Sequence, residues 1–241
     1  MSVPHAQRLS ALILGVSLII AAAVAGTLAG QAALSYRQME RTVTVKGLSE
    51  REYPADIVIW PIQFNVTGNE LTQVYQDLAA NTNRIVLFLT GAGVDSAEIT
   101  PGSPSIIDKS AQAYGNSSGS EFRYTASQSV TVYSQDIQTV RDVMRHLSDL
   151  GRQGIVLTGE GYGSQTEYLF TRLNEIKPDM IEEATRNARE VAEKFAIDSG
   201  SDLGRIRTAS QGQFSISPRD RNNPHIKKVR VVSTVEYYLS D

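Results

Sequence analysis

Residues 11–36, "ALILGVSLIIAAAVAGTLAGQAALSY", are apolar or small almost without interruption, and no charge lies between Arg8 and Arg37. About 20 apolar residues cross a bilayer core, whereas a cleavable export signal has an apolar centre of about 7–15. Length therefore favours an uncleaved signal-anchor over residues 9–36, with a short tail over 1–8 and an exported domain over 37–241. Small residues around Ala21 to Ala25 and near Ala29 and Gly30 are compatible with cleavage, which leaves a released soluble protein as the alternative. Positive charges flank the run on both sides, Arg8 before it and Arg37, Arg41 and Lys46 after it, so the charge rule does not fix orientation. The expectation is a single-pass membrane protein with a short N-terminal tail inside and its main domain outside.

Beyond Tyr36 the pattern alternates. "TVTVKGL" and "IVIWPIQFNV" read as strands around the turn "SEREYPAD". In the second, Val58, Trp60, Ile62, Phe64 and Val66 share one face, and Pro61 points to an edge or a bulge. A helix follows over residues 69–91, with Leu71, Val74, Tyr75, Leu78, Ile85 and Leu89 at helical spacing and Gly91 or Gly93 as its stop. Two strands, "EITPGSPSII" and "FRYTASQSVTVYS", flank the glycine- and serine-rich "KSAQAYGNSSGSE", read as a hairpin tip. The spacing of Ile137, Val140, Met144, Leu147 and Leu150 predicts one helix over 136–150.

The order then repeats. "GIVLTGEG" and "QTEYLFTRL" read as strands, and residues 178–200 as a helix with Pro178 near its start, Ile181, Ala184, Ala188, Val191 and Phe195 on one face and Gly200 closing it. "RIRTASQGQFSIS" and "KKVRVVSTVEYYL" finish as strands. Gly47 and Gly159 each end a first strand on this reading, and Gly93 and Gly200 each end a helix. The fold class is α+β: antiparallel sheets covered by helices, in pseudo-duplicated ββαββ halves joined by the 136–150 helix and preceded by one transmembrane helix.

Composition removes several chemistries. The chain has 241 residues, a formal net charge of −3 and no cysteine, so disulfides, zinc thiolate sites and cysteine nucleophiles are excluded. A near-neutral balance argues against nucleic acid as a partner. His5, His146 and His225 are far apart, and no G-x-S-x-G elbow accompanies them. Glu182 and Glu183 fall on adjacent helical faces rather than converging. "GEGYG" at 159–163 precedes a predicted strand instead of a helix, so it reads as a turn and not a phosphate loop. No catalytic, cofactor or metal residues are assigned and no enzyme is expected; a carboxylate pair assembled from distant segments is the remaining route to one.

Two clusters stand out. Arg219, Arg221, Lys227, Lys228 and Arg230 surround a single Asp220. They suit an anionic lipid or acidic protein partner, or serve as charges that guard a strand edge. Ala22, Gly26 and Gly30, spaced by four, form a flat stripe that favours helix association in a membrane and hence a homo-oligomer.

"EEATRNAREVAEKFAIDSGSDLGRIRTASQGQFSISP" carries Ala184, Ala188, Arg189, Ala192 and Ala196, then Gly200 and Gly204 before Ile206, and a later strand ends in "VEYYL". Together with "VTVKGLSEREYPADIVIWPIQFNV", which places Gly47, Pro54 and Asp56, this order resembles the SIMPL domain family over residues 42–239. The resemblance implies an α+β domain outside the inner membrane, large ring-like or hollow oligomers, a link to envelope or oxidative stress, and no established catalytic residues. A membrane-anchored, self-assembling, non-enzymatic protein is the function it leads one to expect.

Overall fold

The computed structural model describes residues 5–38, 41–111, 122–159 and 165–240, with side chains of the first helix described over 14–32. That helix, α1, spans His5–Gln38. Its segment Leu14–Ala32, 19 residues, is apolar enough to cross a membrane and none of it is buried. At 1.5 Å per residue it is about 28 Å long, close to the roughly 30 Å of a hydrocarbon core. Its few hydroxyls are satisfied within the helix: Ser17 donates to the Leu14 carbonyl at 3.0 Å and Thr27 to that of Val24 at 2.9 Å.

The other described residues form ten strands and four further α-helices, besides two short 3-10 turns: β1 Thr42–Pro54, β2 Ile57–Gly68, α2 Leu71–Gly91, β3 Ile99–Pro101, β4 Ser105–Asp108, β5 Tyr124–Ser134, α3 Ile137–Met144, α4 Ser148–Arg152, β6 Val156–Leu157, β7 Glu167–Leu169, α5 Leu173–Asp198, β8 Asp202–Gln211, β9 Ser215–Pro218 and β10 Ile226–Ser240. The fold is mixed α+β. One sheet has the order β1-β10-β8, with β9 also on β10; the other has β3-β5-β2-β6, with β4 on β5 and β7 on β2. Contacts divide the chain into two compact units, 1–50 with 178–214 and 230–241, and 51–177 with 215–229.

In the second unit β2 is the central strand. It pairs antiparallel with β5 along eleven residues, from Val58 opposite Ser134 to Gly68 opposite Tyr124. The expected face is the buried one: Val58, Trp60, Ile62, Phe64 and Val66 join Ala126, Val130 and Val132 of β5 and Val74, Leu78, Ile85 and Leu89 of α2 in one core. On its other side β2 meets β7 at Ile57–Ile59 and β6 at Phe64 and Asn65. The Gln63 carbonyl accepts from the Thr158 N–H on that side. Pro61, two residues away, turns its missing donor the same way, between the two short strands, which is why a proline is tolerated in a central strand.

Several expected elements are shorter or broken. The 136–150 helix is two pieces, because His146 and Leu147 donate to carbonyls three residues back, tightening the turn after Met144. Val143 thereby becomes buried beside Val140 and Leu150, while Met144 and Leu147 are only half-buried. The strand at 98–107 is split at residues 102–104, and 205–217 is split at 212–214. The strands in 154–161 and 165–173 shrink to two and three residues. Most of the glycine-serine tip (112–121) and of "GEGYG" (160–163) lies outside the described residues.

In the first unit α5 packs on the β1-β10-β8 sheet through a column of alanines. Ala184, Ala188, Ala192 and Ala196 are buried, with Met180 preceding them. Val45, Val235 and Tyr237 meet Ala188 and Ala192, flanked by Val43 and Leu203. This differs from the expected face: Val191 and Phe195 are 39% and 56% exposed. Close approach selects the small column and turns the bulky side chains outward. The helix also starts earlier, at Leu173, so Pro178 is inside it; its lost bond would have reached only Asn174, in the first turn. Gly93 and Gly200 do follow α2 and α5, at φ +98° and +64°, and the residues after them donate back to the Leu89 and Ala196 carbonyls.

Gly47 does not end a strand; it lies inside β1, where a Cβ would stand 1.8 Å from the Ala184 carbonyl oxygen and 2.9 Å from the Ala188 Cβ. On one side of this contact the Ser49 hydroxyl donates to Glu183 at 2.9 Å, and on the other the Asn187 amide donates to the Leu48 carbonyl at 2.8 Å. Gly47→Val is expected to cost about 2–3 kcal/mol by overpacking, roughly 5–10 °C in melting temperature for a domain of this size. Gly151→Ala, in α4 with no atom within 4 Å of the added Cβ, is expected to be neutral or stabilising by about 0.5 kcal/mol. Parallel thermal melts check both.

Candidate functional site

The residues singled out in the sequence are dispersed. Ala22, Gly26 and Gly30 are exposed on α1, and a Cβ at either glycine would meet nothing within 4 Å. Of the basic cluster, Arg219 is ion-paired with Asp220 at 2.9 Å and Glu52 at 3.6 Å. Asp220 also accepts from the Asn222 and Asn223 N–H groups, and with Arg219 beside it its carboxyl is pulled down to about 2. Arg230 approaches Glu50 at 4.0 Å. Arg221 is exposed and Lys228 half-buried. Lys227 is turned inward on β10 and only 8% exposed; burial pushes its amine below the usual lysine range, with Glu167 pulling the other way. Arg219, Lys227 and Arg230 are thus engaged within the molecule.

The two described histidine side chains have different partners. His146 is exposed, its Nδ1 2.9 Å from the Asp142 carbonyl oxygen. His225 packs edge-on to Tyr168, its pKa lowered by burial and by Arg141 and Arg219. Glu182 lies 3.9 Å from Arg186, while Glu183 is occupied by Ser49. Among the described residues no three His, Asp or Glu side chains converge as a metal ligand set.

Sequence reasoning missed a groove of about 730 Å³ in the first unit. Glu182, Arg186 and Arg189 of α5 and Arg205 of β8 carry its charge; Leu203, Ile206 and Tyr237 are its apolar and aromatic lining. Its shape originates in β8. Opposite β10, Glu236 faces Thr208, Tyr237 faces Ile206 and Leu239 faces Leu203, so β8 carries one extra residue in each of two successive steps. These bulges break the alternation of an edge strand and let the consecutive Leu203, Gly204, Arg205 and Ile206 all border the groove. At Gly204 a Cβ would stand 2.9 Å from the Tyr238 carbonyl oxygen, so the close approach needs glycine.

The arginines differ in their commitments. Arg189 binds Glu193 at 3.0 Å and Arg207, outside the groove, binds Glu236 at 2.9 Å. Arg186 and Glu182 are separated by 3.9 Å and mostly solvated, a weak pair. Tyr237 is 4% exposed and its pKa is raised chiefly by burial, with Arg189 opposing the rise and Glu193 adding to it. Arg189 and Gly204 were visible in the sequence as part of an alanine-arginine and glycine pattern. The bulges that bring them together had no sequence signal.

The family model SIMPL, described as a protein of unknown function (DUF541), matches residues 43–236. The chain belongs to the SIMPL family. The match covers both β1 and the alanine column of α5, the two segments joined at Gly47. Comparison with curated proteins gives no match.

The burial of Lys227 has a measurable consequence. Its amine is harder to protonate in the folded than in the unfolded chain, so the penalty is complete below the folded pKa and disappears as pH rises towards about 10.5. Lys227→Met is therefore expected to raise the melting temperature at pH 7, with a gain that narrows towards pH 10; thermal melts across that range check it.

Proposed function

We propose that this SIMPL protein is a non-enzymatic, membrane-anchored protein, with its N-terminal tail inside and its domain on the periplasmic side of the inner membrane, which assembles with copies of itself. The observation that carries this reading is α1: a 19-residue apolar segment with no residue buried against the rest of the chain. A helix apolar all round and left uncovered in water is unfavourable, and a bilayer removes that cost. The stripe of Ala22, Gly26 and Gly30 supports close helix packing within that bilayer. The outer edge of β8, next to no other strand among the described residues, is a second surface on which a copy can add. The recurrence of two strands, a helix and further strands on either side of α3 and α4 is read as a pseudo-duplicated ββαββ pattern. An envelope or oxidative stress role is the setting that the family resemblance implies.

Replacing Gly26 and Gly30 together by isoleucine is expected to shift the protein in mild detergent to smaller particles, as measured by light scattering on a size-exclusion column. An unchanged particle mass would remove these residues from the assembly.

A further inference from the structure

We infer that the groove between α5 and β8 is a binding site for a small anionic amphiphile, a phosphate or carboxylate head carried on an apolar body. Four observations converge on this chemistry. The groove, about 730 Å³, lies in the range of small-molecule sites. Its charge is three arginines against one Glu182, and Arg186 is held only weakly by that glutamate. Leu203 and Ile206 give an apolar surface beside the charges. Tyr237, 4% exposed and lining the same groove, adds a phenol that can donate to an acceptor supplied by a ligand.

The division of labour follows. Arg186 and Arg205 hold the head, since guanidinium forks match phosphate and carboxylate oxygens. The Tyr237 hydroxyl donates to the same head, and the apolar body lies on Leu203 and Ile206. The bulges in β8 are what aim Arg205 at this place instead of alternating it away. An ordinary surface arginine pair would accept any anion; the adjoining apolar lining makes the site prefer an anion with a short alkyl or aromatic body. This inference does not depend on self-assembly.

The test uses the full chain in phosphatidylcholine nanodiscs and titration calorimetry, with empty nanodiscs subtracted. The probes are hexyl phosphate, inorganic phosphate and hexyltrimethylammonium. Saturable binding of hexyl phosphate is expected, at least tenfold tighter than inorganic phosphate, with no saturable binding of the ammonium analogue. The Arg186→Gln/Arg205→Gln double variant should weaken hexyl phosphate at least tenfold. Tyr237→Phe should weaken it several-fold with the melting temperature kept near that of the parent. Arg84→Gln, in a separate polar cavity of the second unit, should leave binding unchanged. Equal binding of the ammonium analogue, equal binding of inorganic phosphate, no saturable binding of hexyl phosphate, or indifference to the arginine substitutions in a folded variant would each overturn the inference.

Discussion

The contact between Gly47 and the Ala184–Ala188 turn of α5 is the constraint from which the first unit follows. With a hydrogen atom where other residues have a Cβ, β1 lets the helix backbone come down to the sheet. At that separation only alanines fit beneath the helix, and Ala184, Ala188, Ala192 and Ala196 are the residues found there. Little apolar area is buried by four methyl groups, about 0.8 kcal/mol each. The hydrogen bonds Ser49–Glu183 and Asn187–Leu48 on either side of the contact add the directional part that a smooth alanine face lacks. The same close packing turns Val191 and Phe195 to the outside and aligns Arg186 and Arg189 along the flank that faces β8.

In the proposed function, one part of the chain locates the protein and another contacts other molecules. The exposed apolar helix α1 belongs to the first. The edge of β8 belongs to the second, where two bulges between Leu203 and Thr208 disturb the strand ladder and collect Arg205, Ile206 and the flank of α5 around a groove. An edge strand that is bulged and rich in arginine resists indiscriminate pairing. Selective contact, with a ligand in the groove or with another copy in defined register, is what such an edge permits.

Much of this was legible along the chain. Period-two alternation from Val58 to Val66 placed the buried column of β2, because a strand covered on one face leaves no other pattern. The helices α2 and α5 announced themselves by length and by their closing glycines. What failed was set by tertiary context. Val191 and Phe195 fit a helical face as well as alanines do, and only the proximity of Gly47 reveals that the small column is the buried one. Likewise the basic run at 219–230 reads as a patch in sequence, but Asp220, Glu52, Glu50 and the interior side of β10 take up Arg219, Arg230 and Lys227. The groove was invisible because a β-bulge is a difference in count between two paired strands, and one strand alone does not contain it.

The central claim is that α1 is kept and holds the domain on a membrane. The most direct measurement is the intact mass of the protein recovered from the membrane fraction of the cells that make it. A mass near the full 26.3 kDa, with the protein absent from the water-soluble fraction, is the predicted result. A product lighter by roughly 2–3 kDa, the size of a removed export signal, in the soluble fraction would contradict it.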